Sequence, residues 1–505
     1  MTSVQFQPSL EGFQKHYDNE KTQLVYTWIP ADLTTPVSAY LKLCAAQKYA
    51  FLLESVEGGS VLGRYSIIGF DPDLIWSCSN ESVKLWHDFG SWDLSNKEIL
   101  PSLEEIIASC KIDVEPDDVP PMAVSGLFGY MGYDMIRQVE KIPDENPDSL
   151  GIPESIMIRP NHLVIFDNVK NMMCLVKPVY THSGTNPKSA EELYREHCAD
   201  LQKLMNRLQK GLKYFPAQTS LKTPLEISSN TTKNEYCAMV EKAVEYIRAG
   251  DIFQVVPSQR FSVPFDLPSF ELYRSLRREN PSPFLFHFQF NDFSLVGSSP
   301  EILVRVRDEE VTIRPLAGTR KRGQSPQEDK ELAQDLLNDP KERAEHLMLL
   351  DLGRNDVGRI SQIGSVEVTD QFVVEYYSHV MHIVSNVIGK IKPDVQILEA
   401  LFSGFPAGTV SGAPKIRAME IIDELEKERR SFYGGCAGYI SGNGTMDTCI
   451  ALRTGLVKNN TLYVQAGAGV VADSKPESEY EETRNKAMAL IRAAENALKM
   501  HSGNQ

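Results

Sequence analysis

Through its first half the chain is written as short β-like runs joined by turns, with little helix between them. QLVYTWIP (23–30), YAFLLESV (49–56), RYSIIGF (64–70), LIWSCS (74–79), SVKLWH (82–87), HLVIFDN (162–168) and MMCLVKPVY (172–180) are rich in residues that suit a pleated, half-buried surface. Helical periodicity appears in PSLEEIIASC (101–110) and, more strongly, in AEELYREHCADLQKLMNRLQKGL (190–212). A further helix opens at TTKNEYCAMVEKAVEYIRAGD, where Thr232 and Glu235 have capping-box spacing. Tyr236, Met239, Val240, Ala243, Val244 and Ile247 then fall on one stripe. The second half mixes strands and helices with no regular βαβ alternation. The spacing therefore predicts an α+β fold rather than a doubly wound parallel sheet.

A chain of 505 residues outgrows one small core and predicts two domains or one large duplicated unit. Polar, proline-bearing connectors lie at 141–154, 181–190 and 213–230. The last separates two strong helices and divides the chain into 1–225 and 226–500. A net charge of −16 argues against nucleic acid or an anionic membrane surface as the main partner. An anionic small molecule stays open, since it needs only local positive charge or a metal. The eight cysteines are scattered with no CxxC pair, which fits a reducing cytoplasm and neither a disulfide framework nor a zinc site. There is no signal-peptide pattern, and no stretch approaches the roughly 18 apolar residues of a membrane span. A soluble cytoplasmic protein is expected.

PESEYEETRNK (476–486) crowds Glu477, Glu479, Glu481 and Glu482 into six residues. Ser474 and Glu477 have capping-box spacing, Pro476 suits a first helical turn, and Glu479, Glu482 and Lys486 line one face. Taken alone, this reads as an acidic first turn favoured by the helix dipole, plus a Glu482–Lys486 pair, each worth roughly a few tenths of a kcal/mol. NDPKERAEHLMLLDLGRND (338–356) has the same grammar. Asp339 can cap, Pro340 suits the first position, Glu342 has box spacing, and Glu342 and Glu345 share a face. Leu347, Leu349 and Leu350 follow, so this helix soon enters the core. Two such turns facing one another would offer four hard oxygen ligands, a set suited to Mg²⁺, which takes one or two carboxylates and keeps waters for substrate oxygens to displace.

Elements able to bind an anion accompany these turns. FPAGTVSGAPKIRAMEIIDELE (405–426) sets Gly408 and Thr409 in a turn ahead of a helix starting near Pro414, although GK[ST] is missing and this is no P-loop. TLYVQAGAGVVADS (461–474) is a strand entering Gly467-Ala468-Gly469. RPLAGTRKRG (314–323) reads as a basic glycine turn, a solvated loop unless a ligand occupies it. Arg453 lies inside the apolar CIALRTGLV and needs a carboxylate partner from protein or substrate. His379 and His382 fall in a stretch read as strand (371–391), where residues three apart face opposite ways, so they are no joint metal site. GGCAG around Cys436 reads as a packed small thiol rather than a nucleophile elbow.

In one order the chain carries LLES, GRYSIIG, DIFQVVPSQR, NPSPFLF, SSPE, PLAGTR, AEHLMLLDLGRND, GTVSGAPK, ALRTG, QAGAGVVADS and EYEETRNKA. In that combination, from about residue 24 to about 497, it closely resembles the chorismate-utilising enzymes, specifically the aminase subunits of anthranilate synthases. The resemblance implies two large, mostly antiparallel sheets packed together and flanked by helices. It also implies chorismate as substrate and Mg²⁺ as cofactor. Ammonia would add at ring C2 as the C4 hydroxyl leaves, and loss of a ring proton and pyruvate would give anthranilate. Glu345 and Glu482 would be metal ligands, with Glu342 and Glu479 acting directly or through water. Glu301 would be the acid at the C4 oxygen, and His382 rather than His379 would lie near the reacting ring. Thr409, Tyr433, Arg453, Gly467, Ala468 and Gly469 match positions holding the substrate, and Gly318 and Thr319 line the same pocket.

Two further positions sort the relatives. Water-adding members carry a lysine base where this chain has Gln254, and aminodeoxychorismate synthases typically carry a lysine where it has Ala317. Both substitutions favour anthranilate over isochorismate, salicylate or a folate precursor. An inactive regulatory subunit, the other alternative, would be expected to have lost carboxylates or Arg453, and both are kept. Leu53, Glu54 and Ser55, with Pro281, Ser282, Pro283 and Leu285, match the family's tryptophan-inhibition site, although strand and turn packing explains the same residues. Phe284 and Leu285 depart from the commoner tyrosine and methionine there. The chain lacks the Cys–His–Glu apparatus of a glutamine amidotransferase, so a separate small subunit would supply ammonia, in a heterodimer or heterotetramer.

Overall fold

The computed structural model describes residues 5–57, 61–87, 90–120, 126–180, 188–212, 214, 217–377 and 380–502. His379 and the last three residues of the tail lie outside them. Strands pair antiparallel throughout. The two longest, Tyr65–Ser79 and Ser155–Asp167, run side by side and organise the molecule. Each changes its outer partner half-way. Ala50–Glu54 and Ser82–His87 take successive halves of the first strand, and Met172–Val179 and Leu127–Met131 take successive halves of the second. Two sheets therefore share this central pair.

The first sheet continues from Ala50–Glu54 through Phe284–Gln289, Ser294–Ser299, Thr454–Lys458 and Thr461–Gly467 to Ser258–Pro264. The second continues from Leu127–Met131 through Cys436–Ile440, Met446–Ile450, Ile302–Arg307 and Glu310–Ile313 to Val380–Lys390. Leu316–Lys321 and Glu367–Tyr376 flank that last strand. Of the described strands, 21 form one hydrogen-bonded network, while Gln254–Val255 with Gly412–Ala413 and Val56–Glu57 with Val61–Leu62 pair separately. Strands from either side of the 213–230 connector are neighbours in both sheets.

Burial follows from this arrangement. Inward residues of the two sheets, among them Phe51, Ile67, Phe128, Phe288, Tyr439 and Leu456, form a common middle layer. Helices cover the outer faces. Ala190–Gln209, Ser269–Glu279 and Pro476–His501 lie on the first sheet, and Ile99–Ser109, Pro340–Ile360 and Ile397–Gly404 on the second. The mixed, antiparallel α+β architecture agrees with the sequence reading.

Local readings hold and fail for identifiable reasons. Thr232 and Glu235 form their capping box, and Asp339 caps with Pro340 at the helix start. Glu342 does not complete a box, because Arg320 takes its carboxylate at 3.2 Å. Ser474 does not cap either. Its hydroxyl accepts from the Val471 N–H at 3.0 Å, and the helix starts at Pro476 without a side-chain cap. Arg314–Gly323 is not a loop: Leu316–Lys321 is a strand paired to Val380–Val384, with Ala317 buried and Thr319 and Lys321 exposed. Within 371–391 the chain folds back, and two strands replace the single one expected. The strand Gly412–Ala413 separates Thr409 from the helix Lys415–Leu425, so Thr409 does not sit at that helix's N-terminus.

Candidate active site

Between Ser294–Ser299 and Ile302–Arg307 the chain leaves the first sheet for the second, and between Met446–Ile450 and Thr454–Lys458 it returns. Pro300 has no N–H to offer a ladder, which suits a strand break. The two crossings lie against each other: the Ile450 N–H donates to the Glu301 carbonyl at 3.1 Å, and the Ser298 N–H to that of Arg453 at 3.1 Å. Glu301 and Arg453 are thereby brought together from positions 152 apart in sequence, the carboxyl buried and the arginine partly buried.

Burial pushes the Glu301 carboxyl up to about 8, against the opposing pull of the Thr409 hydroxyl, which donates to both its oxygens at 3.2 Å. The group thus keeps its proton at neutral pH. The Arg453 guanidinium, at a left-handed backbone position (φ 47°), has no hydrogen-bond or ion-pair partner among the described residues. Burial lowers its affinity for a proton, and it stays a cation awaiting a carboxylate. His382 reaches the same space from Val380–Lys390. A bulge at Gly318 (φ 72°) turns that residue's carbonyl to accept from His382 Nδ1 at 2.9 Å, with the Thr319 hydroxyl 3.1 Å from the same nitrogen. With Nδ1–H donating, Nε2 carries the lone pair, and this buried atom has no partner among the described residues. Burial, then the Arg453 charge, holds the imidazole neutral down to about pH 4.

The two acidic helix openings converge beside this space. Glu345 is raised by burial and further by the Glu342 and Glu482 carboxylates, so both turns act on one volume. Glu342 and Glu479 are raised by burial too. Lys341 bridges the openings through Asp473 at 3.2 Å. Lys486, read from sequence only as a helix-stabilising partner, does more than that. Its amine lies 2.7 Å from Glu482 and donates to the Gly467 carbonyl at 3.0 Å, and its charge reaches Glu301, Glu345, Glu479 and His382. Its place one turn after Glu482 was the available signal.

Among the described residues no three His, Cys, Asp or Glu side chains are close enough to hold a metal. Mg²⁺ asks for one or two carboxylates, and a site where neighbouring carboxylates raise the half-buried Glu345 has the right donor chemistry and negative charge. The residues fit such an ion.

Gln254 and the glycine run finish the floor. Gln254 donates to Glu345 at 3.0 Å, and its own carbonyl oxygen is buried without a partner. A Cβ on Gly469 would lie 2.7 Å from that amide nitrogen, and one on Gly467 would lie 3.0 Å from the Tyr433 hydroxyl. At Gly467 the Pro257 carbonyl, 2.9 Å from such a Cβ, makes glycine necessary, whereas at Gly469 the Gln254 amide would have to move. Ala468 is buried between them. The Cys436 thiol is packed on its strand and pushed up to about 12 by burial, so it is not a nucleophile.

The remaining predicted residues gather elsewhere. Leu53, Glu54, Ser55, Pro283 and Leu285 line a cavity of about 890 Å³ between the sheets. Pro281 and Ser282 do not line it. Ser282 instead bonds the Ser299 carbonyl at 3.0 Å and fixes the turn. Glu54 is held by Tyr273 at 2.5 Å and Arg277 at 2.7 Å. Arg305, Arg314, Glu375, Tyr377 and Asp447 form the cavity's polar end, which the sequence reading did not identify.

The model of the chorismate binding enzymes matches residues 51–492. The chain belongs to that family. This chorismate-binding enzyme is 53% identical, over 97% of its length and 98% of the relative's, to anthranilate synthase component 1 of Cereibacter sphaeroides. It is 46% identical to the Pseudomonas putida protein of that name, over 92% of its own length and 93% of the relative's. A crystal structure of anthranilate synthase component I from Streptococcus pneumoniae superposes with a TM-score of 0.76 at 36% identity, covering 92% of this chain and 99% of that one. The menaquinone-specific isochorismate synthase of Escherichia coli shares the fold, with a TM-score of 0.70 at 18% identity over 96% and 99% of the two chains.

Proposed function

We propose that this protein is the large, aminase subunit of an anthranilate synthase, converting chorismate and ammonia to anthranilate, pyruvate and water at the head of tryptophan biosynthesis. The observation that carries the chemistry is a glutamic acid still protonated near neutral pH beside a partly buried guanidinium with no partner among the described residues. Relatives named anthranilate synthase component 1 at 53% and 46% identity over nearly the whole chain support the assignment to this reaction.

Arg453 takes a substrate carboxylate, and the tight floor of Gly467 and Gly469 lets that group approach the backbone. Glu301 gives its proton to the C4 oxygen as that bond breaks. The Nε2 lone pair of His382 faces the reacting ring in the neutral form of the imidazole. Gln254 has no basic nitrogen, so water is not deprotonated there, whereas ammonia brings its own lone pair. Mg²⁺, held by Glu345 and Glu482 with Glu342 and Glu479 directly or through water, would neutralise substrate carboxylate charge. Tryptophan is the expected inhibitor of the Leu53–Ser55 cavity, and a glutamine amidotransferase subunit the expected partner.

The test is product fluorescence with the purified chain. Anthranilate should form from chorismate, Mg²⁺ and ammonium, and glutamine should not replace ammonium without a partner. No fluorescence with ammonium would refute the activity, and equal rates with glutamine would refute the division of labour.

A further inference from the structure

We propose that Tyr377 is a positioning residue for the reaction, fixing the His382 imidazole so that its unpartnered Nε2 stays aimed at the substrate. The inference rests on the chorismate reading above. Among the described residues His382 is hydrogen-bonded through Nδ1 alone, to Gly318 and Thr319. One such anchor leaves the ring free to swing about the hydrogen bond, and something must close that freedom. The Tyr377 ring meets the imidazole edge-on, with centroids 5.4 Å apart and planes at 65°.

Tyr377 is itself held at each of its polar groups. Its N–H donates to the Val380 carbonyl at 2.8 Å, its carbonyl accepts from Arg322 at 2.6 Å, and its hydroxyl donates to Glu375 at 3.0 Å. Glu375 is in turn ion-paired to Arg314, and Arg322 is clamped by Asp329 at 2.6 Å. A residue only filling space needs none of this. Three anchors on one buried tyrosine, at the turn leading into the strand of His382, make a rigid backstop for the ring. Tyr377 touches His382 and also lies within electrostatic reach of Arg453 and Glu301.

Tyr377→Phe keeps the ring and removes the Glu375 anchor, and Glu375→Gln weakens the same tie from the other end. Both should leave the melting temperature unchanged. Both should lower kcat about ten-fold with the chorismate KM within about two-fold, as expected when an interaction serves the transition state rather than binding. In [¹⁵N]histidine-labelled protein near neutral pH, His382 should be the Nδ1–H tautomer alone. Either variant should populate the Nε2–H form, with His382→Gln identifying the signal. In a His382→Gln background, Tyr377→Phe should cost nothing further. An unmoved tautomer, or the same loss of kcat in both backgrounds, overturns the proposal. A wild-type chain that does not turn over chorismate, yet shows the tautomer response, sinks the functional reading instead.

Discussion

A carboxyl group buried as Glu301 is buried leaves two marks, one on rate and one on stability. With the group protonated up to about pH 8, kcat/KM should fall as pH rises through that value, because the acid is lost. Glu301→Gln cannot donate and should reduce kcat by roughly 10² to 10⁴. The stability sign follows from proton counts. Between the unperturbed value of 4.5 and about 8 the folded chain holds a proton that the unfolded chain releases, so this group makes stability fall as pH rises across that window. Glutamine escapes the loss. The melting temperature of Glu301→Gln relative to wild type should therefore climb from pH 5 to pH 8.5, and a flat difference would contradict the burial argument. Sequence showed at this scale that Arg453 needed a carboxylate, because an apolar run announces a desolvated guanidinium. It could not show Lys486 or Tyr377. A lysine one turn after a glutamate looks like any surface pair, and a tyrosine in a hydrophobic strand looks like core.

Two helix openings supply the acidic wall, and their ends were legible where the capping residue had no competitor. Asp339 accepts from the N–H groups of Lys341 and Glu342, the local geometry its spacing predicts. Ser474 and Glu342 had the right spacing too, but each found another partner, the Val471 N–H three residues back in the same loop and Arg320 from a neighbouring strand. Propensity proposes a cap and the rest of the fold can take it back. The same holds for Leu316–Lys321, whose basic, glycine-bearing sequence says loop until an apolar strand lies beside it. Function at this scale depends on charge more than on helix stability. Glu482→Gln removes one acidic oxygen donor and an exposed ion pair to Lys486 worth about 0.3–0.5 kcal/mol. Its melting temperature should move little while anthranilate formation is abolished. Near-normal turnover in that variant would remove Glu482 from the metal set.

The joining of the two sheets through one shared strand pair was beyond the sequence, because period-2 patterns report which face is buried and not which neighbour covers it. That topology places the 890 Å³ cavity so that Leu53 and Leu285 of the first sheet and Tyr439 and Asp447 of the second all border it. A ligand there must touch both layers at once. The cavity wall also includes Pro300 and Ile302, which flank Glu301, and Tyr377, which abuts His382. Occupancy can therefore be felt at the catalytic groups without overlapping them, which is the condition for inhibition from a distance. Ser55→Phe puts an aromatic side chain into the Leu53–Ser55 end while leaving Glu301, His382 and Arg453 untouched. Turnover with ammonium should stay within about two-fold of wild type, and the tryptophan concentration for half-inhibition should rise at least ten-fold, a coupling loss of about 1.4 kcal/mol. Inhibition that survives the filled cavity would place the tryptophan site elsewhere, whereas lost turnover without tryptophan would mean that the cavity wall, and not its occupant, sets the geometry of Glu301.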